Sequence, residues 1–144
     1  MNLAELKKSG KIREIPVDKI QIENLIKVAR RDLEVAEGLF KNNFDWCYVA
    51  SYNCMLQISR ALMFSYGYTT HEEEHHKTVV EFARAILEEK ENETTATFDR
   101  MRRKRHDLTY DEAGLVSEYE TKHALETARR YLEIIEKRIN EKLR

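Results

Sequence analysis

The sequence predicts an all-α protein, an antiparallel up-and-down bundle of four to five helices, and three observations carry that expectation. Glycine occurs four times and proline once in 144 residues, while Ala, Leu, Glu, Lys and Arg, the good helix formers, dominate. Apolar residues recur at three- and four-residue spacing in several windows. Side chains able to cap a helix stand just ahead of those windows. The length is that of one domain, large enough for a single core without disulfides or a metal.

Residues 1–16 form a short basic and apolar arm punctuated by Gly10 and Pro16, expected to fray, and residues 17–144 form the domain. Asp18 followed by Gln21 resembles a capping box. Leu25, Ile26, Ala29, Leu33, Ala36 and Phe40 then keep helical register to about Asn42. Asn42-Asn43 makes a turn, and a second helix runs from about Phe44 to Tyr66, closed by Gly67 at a left-handed cap. That helix is apolar nearly all round, leaving only a narrow stripe of Asn53, Gln57 and Arg60. Such a helix is either central to a core or buried between two protomers; in so small a domain the second is expected, at least in part. Cys47 and Cys54 lie about 10 Å apart by helix rise, too far for a disulfide, and read as buried thiols.

Thr70 and Glu73 suggest a capping box for a third helix, whose apolar face is Val79, Phe82, Ala83, Ile86 and Leu87. A fourth helix spans about Thr94 to Tyr110, and Asp111 to Leu115 make a turn. Ser117 and Glu120 cap a long last helix with an apolar stripe of Leu125, Ala128, Leu132, Ile135 and Ile139. No apolar run is long enough to span a bilayer, and the N-terminus lacks a signal-peptide core, so a cytoplasmic location is expected.

The fourth helix holds the densest chemistry. Five of the 25 Lys and Arg residues and one of the five His fall within residues 100–106, on a chain of net charge −1. A local basic patch on a near-neutral protein suits a phosphate-bearing ligand. At 100° per residue, Phe98, Met101 and Leu108 mark the apolar face, and Arg105 falls on it while Arg100, Arg103 and Asp107 lie opposite. An inward-facing arginine needs a carboxylate, a phosphate or a partner chain. Arg102 and His106 flank it, whereas Arg100, Arg103 and Lys104 read as a solvated face. His71-Glu72-Glu73-Glu74-His75 fits the His-Glu-x-x-His zinc pattern, but without the further Gly and His of the extended motif it reads as a solvated helix start. His76 and Lys77 read similarly, at the border of a polar cleft, and His123 as surface. With no glycine-rich phosphate loop and no Cys-His or Ser-centred nucleophile, neither metal nor cofactor is expected.

RNA cleavage by the 2′-hydroxyl needs one proton removed, one supplied to the leaving 5′-oxygen, and charge stabilised at phosphorus. An Arg-His pair meets these needs.

Taken together, the Tyr52-Asn53-Cys54-Met55-Leu56-Gln57-Ile58-Ser59-Arg60-Ala61-Leu62 stretch with Gly67, the Glu74-His75-His76-Lys77 segment and the late Arg/His run resemble the HEPN family (higher eukaryote and prokaryote nucleotide-binding domain). The resemblance covers most of the chain. It implies a helical bundle that forms a homodimer with two motifs facing one cleft, and it leaves two functions open. One is a metal-independent ribonuclease acting as a toxin or in defence. The other is a non-catalytic nucleotide-binding partner of a separate nucleotidyltransferase, an enzyme that in some toxin pairs silences the HEPN chain by adding AMP to a tyrosine. The family motif is Arg, a polar residue, then His after four to six intervening positions. Here Arg105 and His106 fill the first two places, and Tyr110 stands where the His is expected. A phenol ordinarily titrates near about pH 10 and is a poor base at neutral pH. Pairing Arg100 with His106 restores the formal spacing but uses an arginine from the opposite face. The resemblance thus implies Arg105, His106 and Tyr110 as catalytic residues, and Arg102, Asn53 and Arg60 as contacts to RNA or nucleotide.

Overall fold

The computed structural model describes residues 1–71 and 75–144. Its elements in order are α1 (Leu3–Lys8), β1 (Ile12–Glu14), α2 (Lys19–Leu39), α3 (Phe44–Ser65), β2 (Tyr68–Thr70), α4 (His76–Ile86), α5 (Asn92–Tyr110) and α6 (Glu118–Leu143), with one 3-10 turn at Glu89–Glu91. The fold is the all-α bundle the sequence predicts. Among the described residues no helix is long and apolar enough to cross a membrane.

The caps follow the sequence chemistry at three of the long helices. Asp18 Oδ1 accepts from the Ile20 and Gln21 amides, Asn43 Oδ1 accepts from the Trp46 amide at 3.0 Å, and Ser117 Oγ accepts from the Glu120 amide at 3.0 Å. Each satisfies a donor that the first helical turn leaves open. Gly67, at φ 81°, ends α3 in the left-handed region that side chains disfavour. Its carbonyl accepts from the Ile15 amide at 2.9 Å.

That bond belongs to a clamp the sequence did not suggest. Residues 1–16, expected to fray, instead hold α1 and β1. Asn2 caps α1 through the Glu5 amide, and Leu6 is fully buried, with α1 against α4. β1 pairs antiparallel with β2, Ile12 opposite Thr70 and Glu14 opposite Tyr68. Lys11 Nζ adds an ion pair to Glu81 at 3.2 Å. Thr70 is therefore a strand residue and not the cap of the third helix; α4 starts at His76 with no side-chain cap bond, and Glu73 lies outside the described residues.

The core is built around α3, which packs on α2, α4, α5 and α6. Every α3 residue is buried except Phe44, Asp45, Trp46, Asn53, Gln57 and Arg60. The sequence left two readings of this all-round apolar helix and favoured a protomer interface. One chain suffices: four neighbouring helices cover it, and its buried hydroxyls are satisfied internally. Ser59 and the fully buried Tyr131 share a hydrogen bond of 2.5 Å, and Ser51 Oγ donates to the Cys47 carbonyl at 2.8 Å. Cys47 and Cys54 are free and buried. At the far end, Asp45 Oδ2 accepts from the Gly114 amide at 2.7 Å, fixing the α5–α6 turn to the start of α3.

Candidate functional site

The packing of α5 on the core sets the site. Phe98 and Met101 are buried, with the Phe98 ring 5.7 Å from Tyr52 and 5.4 Å from Tyr131, centroid to centroid. One turn beyond Met101 the same face presents Arg105. Its guanidinium carbon lies 6.0 Å from the centre of the Tyr52 ring, and its Nε is buried with no hydrogen-bond partner. Thr109 Oγ1, a further turn along, is buried and unpartnered too. A buried polar atom without a partner costs on the order of 1–3 kcal/mol.

The other cations of the run are engaged. Arg102 Nε donates to Asp99 Oδ1 at 3.0 Å, and Arg103 lies 3.6 Å from the same carboxylate. Lys104 Nζ pairs with Glu120 at 2.6 Å, and Arg100 donates to Thr97 Oγ1 at 3.0 Å. Among the described residues Arg105 forms neither an ion pair nor a hydrogen bond to an acid.

Facing it is the first turn of α4. The Tyr52 hydroxyl lies 2.9 Å from His76 Nδ1, their rings 5.8 Å apart. Burial pushes the Tyr52 phenol well above its ordinary range, against the opposing pull of Arg105 and Arg102. It therefore keeps its proton and can donate to the imidazole. Between α4 and α5 opens a cleft of about 690 Å³. Four permanent cations line it, Lys77, Arg102, Arg103 and Arg105, together with the imidazoles of His75, His76 and His106. Tyr110 closes its rim, the ring 5.1 Å from that of His106 and 67% exposed. No carboxylate lines the cleft among the described residues, and the positive end of α4 points the same way in charge. The arrangement can hold a phosphate and can move protons beside it.

Of the residues the sequence singled out, Arg102, Arg105, His106 and Tyr110 share this cleft. Arg60 does not: it lines an adjacent pocket of about 570 Å³, donating to Gln57 Oε1 at 2.9 Å. Asn53, half-buried on α3, lines neither. Arg100 faces away, in a small depression with Tyr48, Tyr119 and His123. The Arg105, His106, Tyr110 register thus has its members together, and the Arg100 register does not. Sequence reasoning assigned no role to Tyr52 and only a border position to His76 and Lys77; the signal available was a His-His-Lys run at a helix start. The three glutamates of the zinc-like pattern lie outside the described residues, among which no group of three or more His, Cys, Asp or Glu could hold a metal.

Comparison with known proteins adds the family. No curated protein sequence matches the chain. Among solved structures, the crystal structure of an archaeal HEPN homologue superposes with a TM-score of 0.63 at 19% identity, covering 82% of this chain and 97% of the other. At that identity the likeness speaks for the fold. A sequence profile of the HEPN domain matches residues 22–139. That span runs from the first turn of α2 into the last turns of α6 and takes in the whole α4–α5 cleft, so the chain belongs to the HEPN domain family.

Proposed function

We propose that this HEPN protein binds RNA or a nucleotide by its phosphate in the α4–α5 cleft and, as a homodimer of toxin-antitoxin or defence type, cleaves RNA without a metal. The observation that carries the reading is Arg105, a half-buried cation with an orphaned Nε and, among the described residues, no acid beside it in a cleft lined by cations. An arginine held this way lacks only an anion, and a phosphate supplies charge and acceptors together. In the reaction the RNA 2′-oxygen bonds to phosphorus as the bond to the 5′-oxygen breaks, giving a 2′,3′-cyclic phosphate and a free 5′-hydroxyl. An imidazole, which titrates near neutral pH, takes the 2′-hydroxyl proton, and a second, protonated one supplies the 5′-oxygen. His106 fills one of these roles, and a facing cleft in a second copy of the chain brings the other. Arg105 neutralises the charge that grows on the phosphorane oxygens.

The exposed Tyr110 ring supports a second reading. A phenol projecting from the cleft rim is accessible to an enzyme that adds AMP, which suits a non-catalytic partner of a separate nucleotidyltransferase. Cleavage of a structured RNA pool in EDTA separates the two. Activity in the unmodified protein, lost in Arg105→Ala and in His106→Ala, supports the ribonuclease. A well-folded dimer whose mass shows no added AMP and which cuts nothing overturns it in favour of the partner role.

A further inference from the structure

The adjacent pocket is built differently from the cleft. It lies where β1, β2 and the first half of α2 meet α3, and its volume of about 570 Å³ falls within the roughly 300–1,000 Å³ of small-molecule sites. Its side chains combine three kinds of chemistry. Phe64 gives an aromatic wall, and the Arg60 guanidinium rides over that ring at 5.7 Å while Gln57 holds it from the side at 2.9 Å. Gln21 and Gln57 both line the pocket, and a primary amide offers a donor and an acceptor side by side. Arg13 brings a second cation, and neither Arg13 nor Arg60 forms an ion pair among the described residues. His75 and His76 line this pocket and the cleft alike, so the two adjoin at the start of α4.

We propose that this pocket is the subsite for the neighbouring nucleotide of a single RNA strand whose phosphate lies on Arg105. The inference rests on the phosphate-binding reading of the cleft and adds to it a direction for the strand, from α5 across the start of α4 to α3. Unpaired bases are recognised by stacking on aromatic rings or guanidinium planes and by hydrogen bonds to their edges. Here the Arg60 plane, fixed on Phe64, supplies the stacking surface, and the two glutamines supply the edge contacts. Arg13 meets the next phosphate along.

Two probes separate the subsite from the cleft. The first is a fluorescein-labelled single-stranded decaribonucleotide followed by anisotropy; the second is inorganic pyrophosphate followed by calorimetry. Arg60→Ala should weaken the oligonucleotide about tenfold, the scale of one stacked or charge-assisted contact, and leave pyrophosphate unchanged. Arg105→Ala should weaken both. Arg13→Ala, on β1, repeats the test with a substitution outside α3, so a folding defect in the Arg60 variant does not decide the outcome. Oligonucleotide binding within twofold of wild type in both pocket variants overturns the subsite while leaving the cleft intact, as does an equal loss for both probes. If Arg105→Ala changes neither affinity, the phosphate-binding reading fails and the subsite with it.

Discussion

Replacing Arg105 by methionine should separate stability from binding. In the folded protein the Arg105 Nε is buried without an acceptor, which costs about 1–3 kcal/mol. Against this stands the cation over the Tyr52 ring at 6.0 Å, at the outer limit of such contacts and contributing about 0.5 kcal/mol. Methionine is close in length, keeps an apolar stem against the ring, and adds a sulfur–aromatic contact of about 0.3–1.5 kcal/mol. The balance favours the variant by about 1–4 kcal/mol, a melting temperature higher by several degrees. Urea unfolding followed by far-UV circular dichroism measures it, with an unchanged m-value showing that two-state behaviour is kept. The same variant should lose about 1.5–3 kcal/mol of RNA binding, roughly 10- to 150-fold, because the charge-assisted contacts to phosphate are gone. A loss of stability above about 1 kcal/mol would mean that the folded protein satisfies Arg105 internally, and the reasoning that assigns it to a ligand would fail. A site that stores destabilisation for its ligand is the expected trade between stability and function.

Three further outcomes test the packing. Ser59→Ala leaves the hydroxyl of the fully buried Tyr131 without its partner, which should lower stability by about 1–3 kcal/mol in urea titration; Ser59→Thr, which retains a hydroxyl, should recover part of it. Burial pushes the Cys54 thiol up to about 12 and raises Cys47 as well, so a thiol-reactive dye at pH 8 should label neither in the native protein and both in urea. The hydrogen bond from Lys104 holds the Glu120 carboxyl below its ordinary value of 4.5. Its contribution is therefore complete above pH 4.5 and lost as pH falls through the lower folded value. Glu120→Gln should flatten that part of the acid limb, by a small amount that added salt reduces, since the carboxylate is partly exposed.

Much of this structure follows from local chemistry, and the rest from pairings between distant residues. The long helices were legible because their signals are local: Asp18, Asn43 and Ser117 cap within three residues, and Gly67 marks a positive φ. The clamp was not, because β1 and β2 have three residues each, too short to show alternation. Nothing near Thr70 in the chain points to Ile12, its partner in the pair. The apolar surface of α3 could not say whether neighbouring helices or a second protomer cover it, since burial looks the same in sequence either way. At the site, Arg105 stood out because helical periodicity placed a cation on an apolar face. The His75-His76-Lys77 turn gained its place only through the packing of α4 against α5, which joins segments some thirty residues apart.

The central claim, that phosphate-bearing RNA binds between α4 and α5, is tested most directly by titrating isotopically labelled protein with a short single-stranded RNA and mapping amide shifts. The expected result is a contiguous set of changes over residues 75–77 and 102–110, absent in Arg105→Met. Changes confined to the α2–α6 surface, or none in either protein at concentrations that bind a phosphate-recognising control, would contradict it.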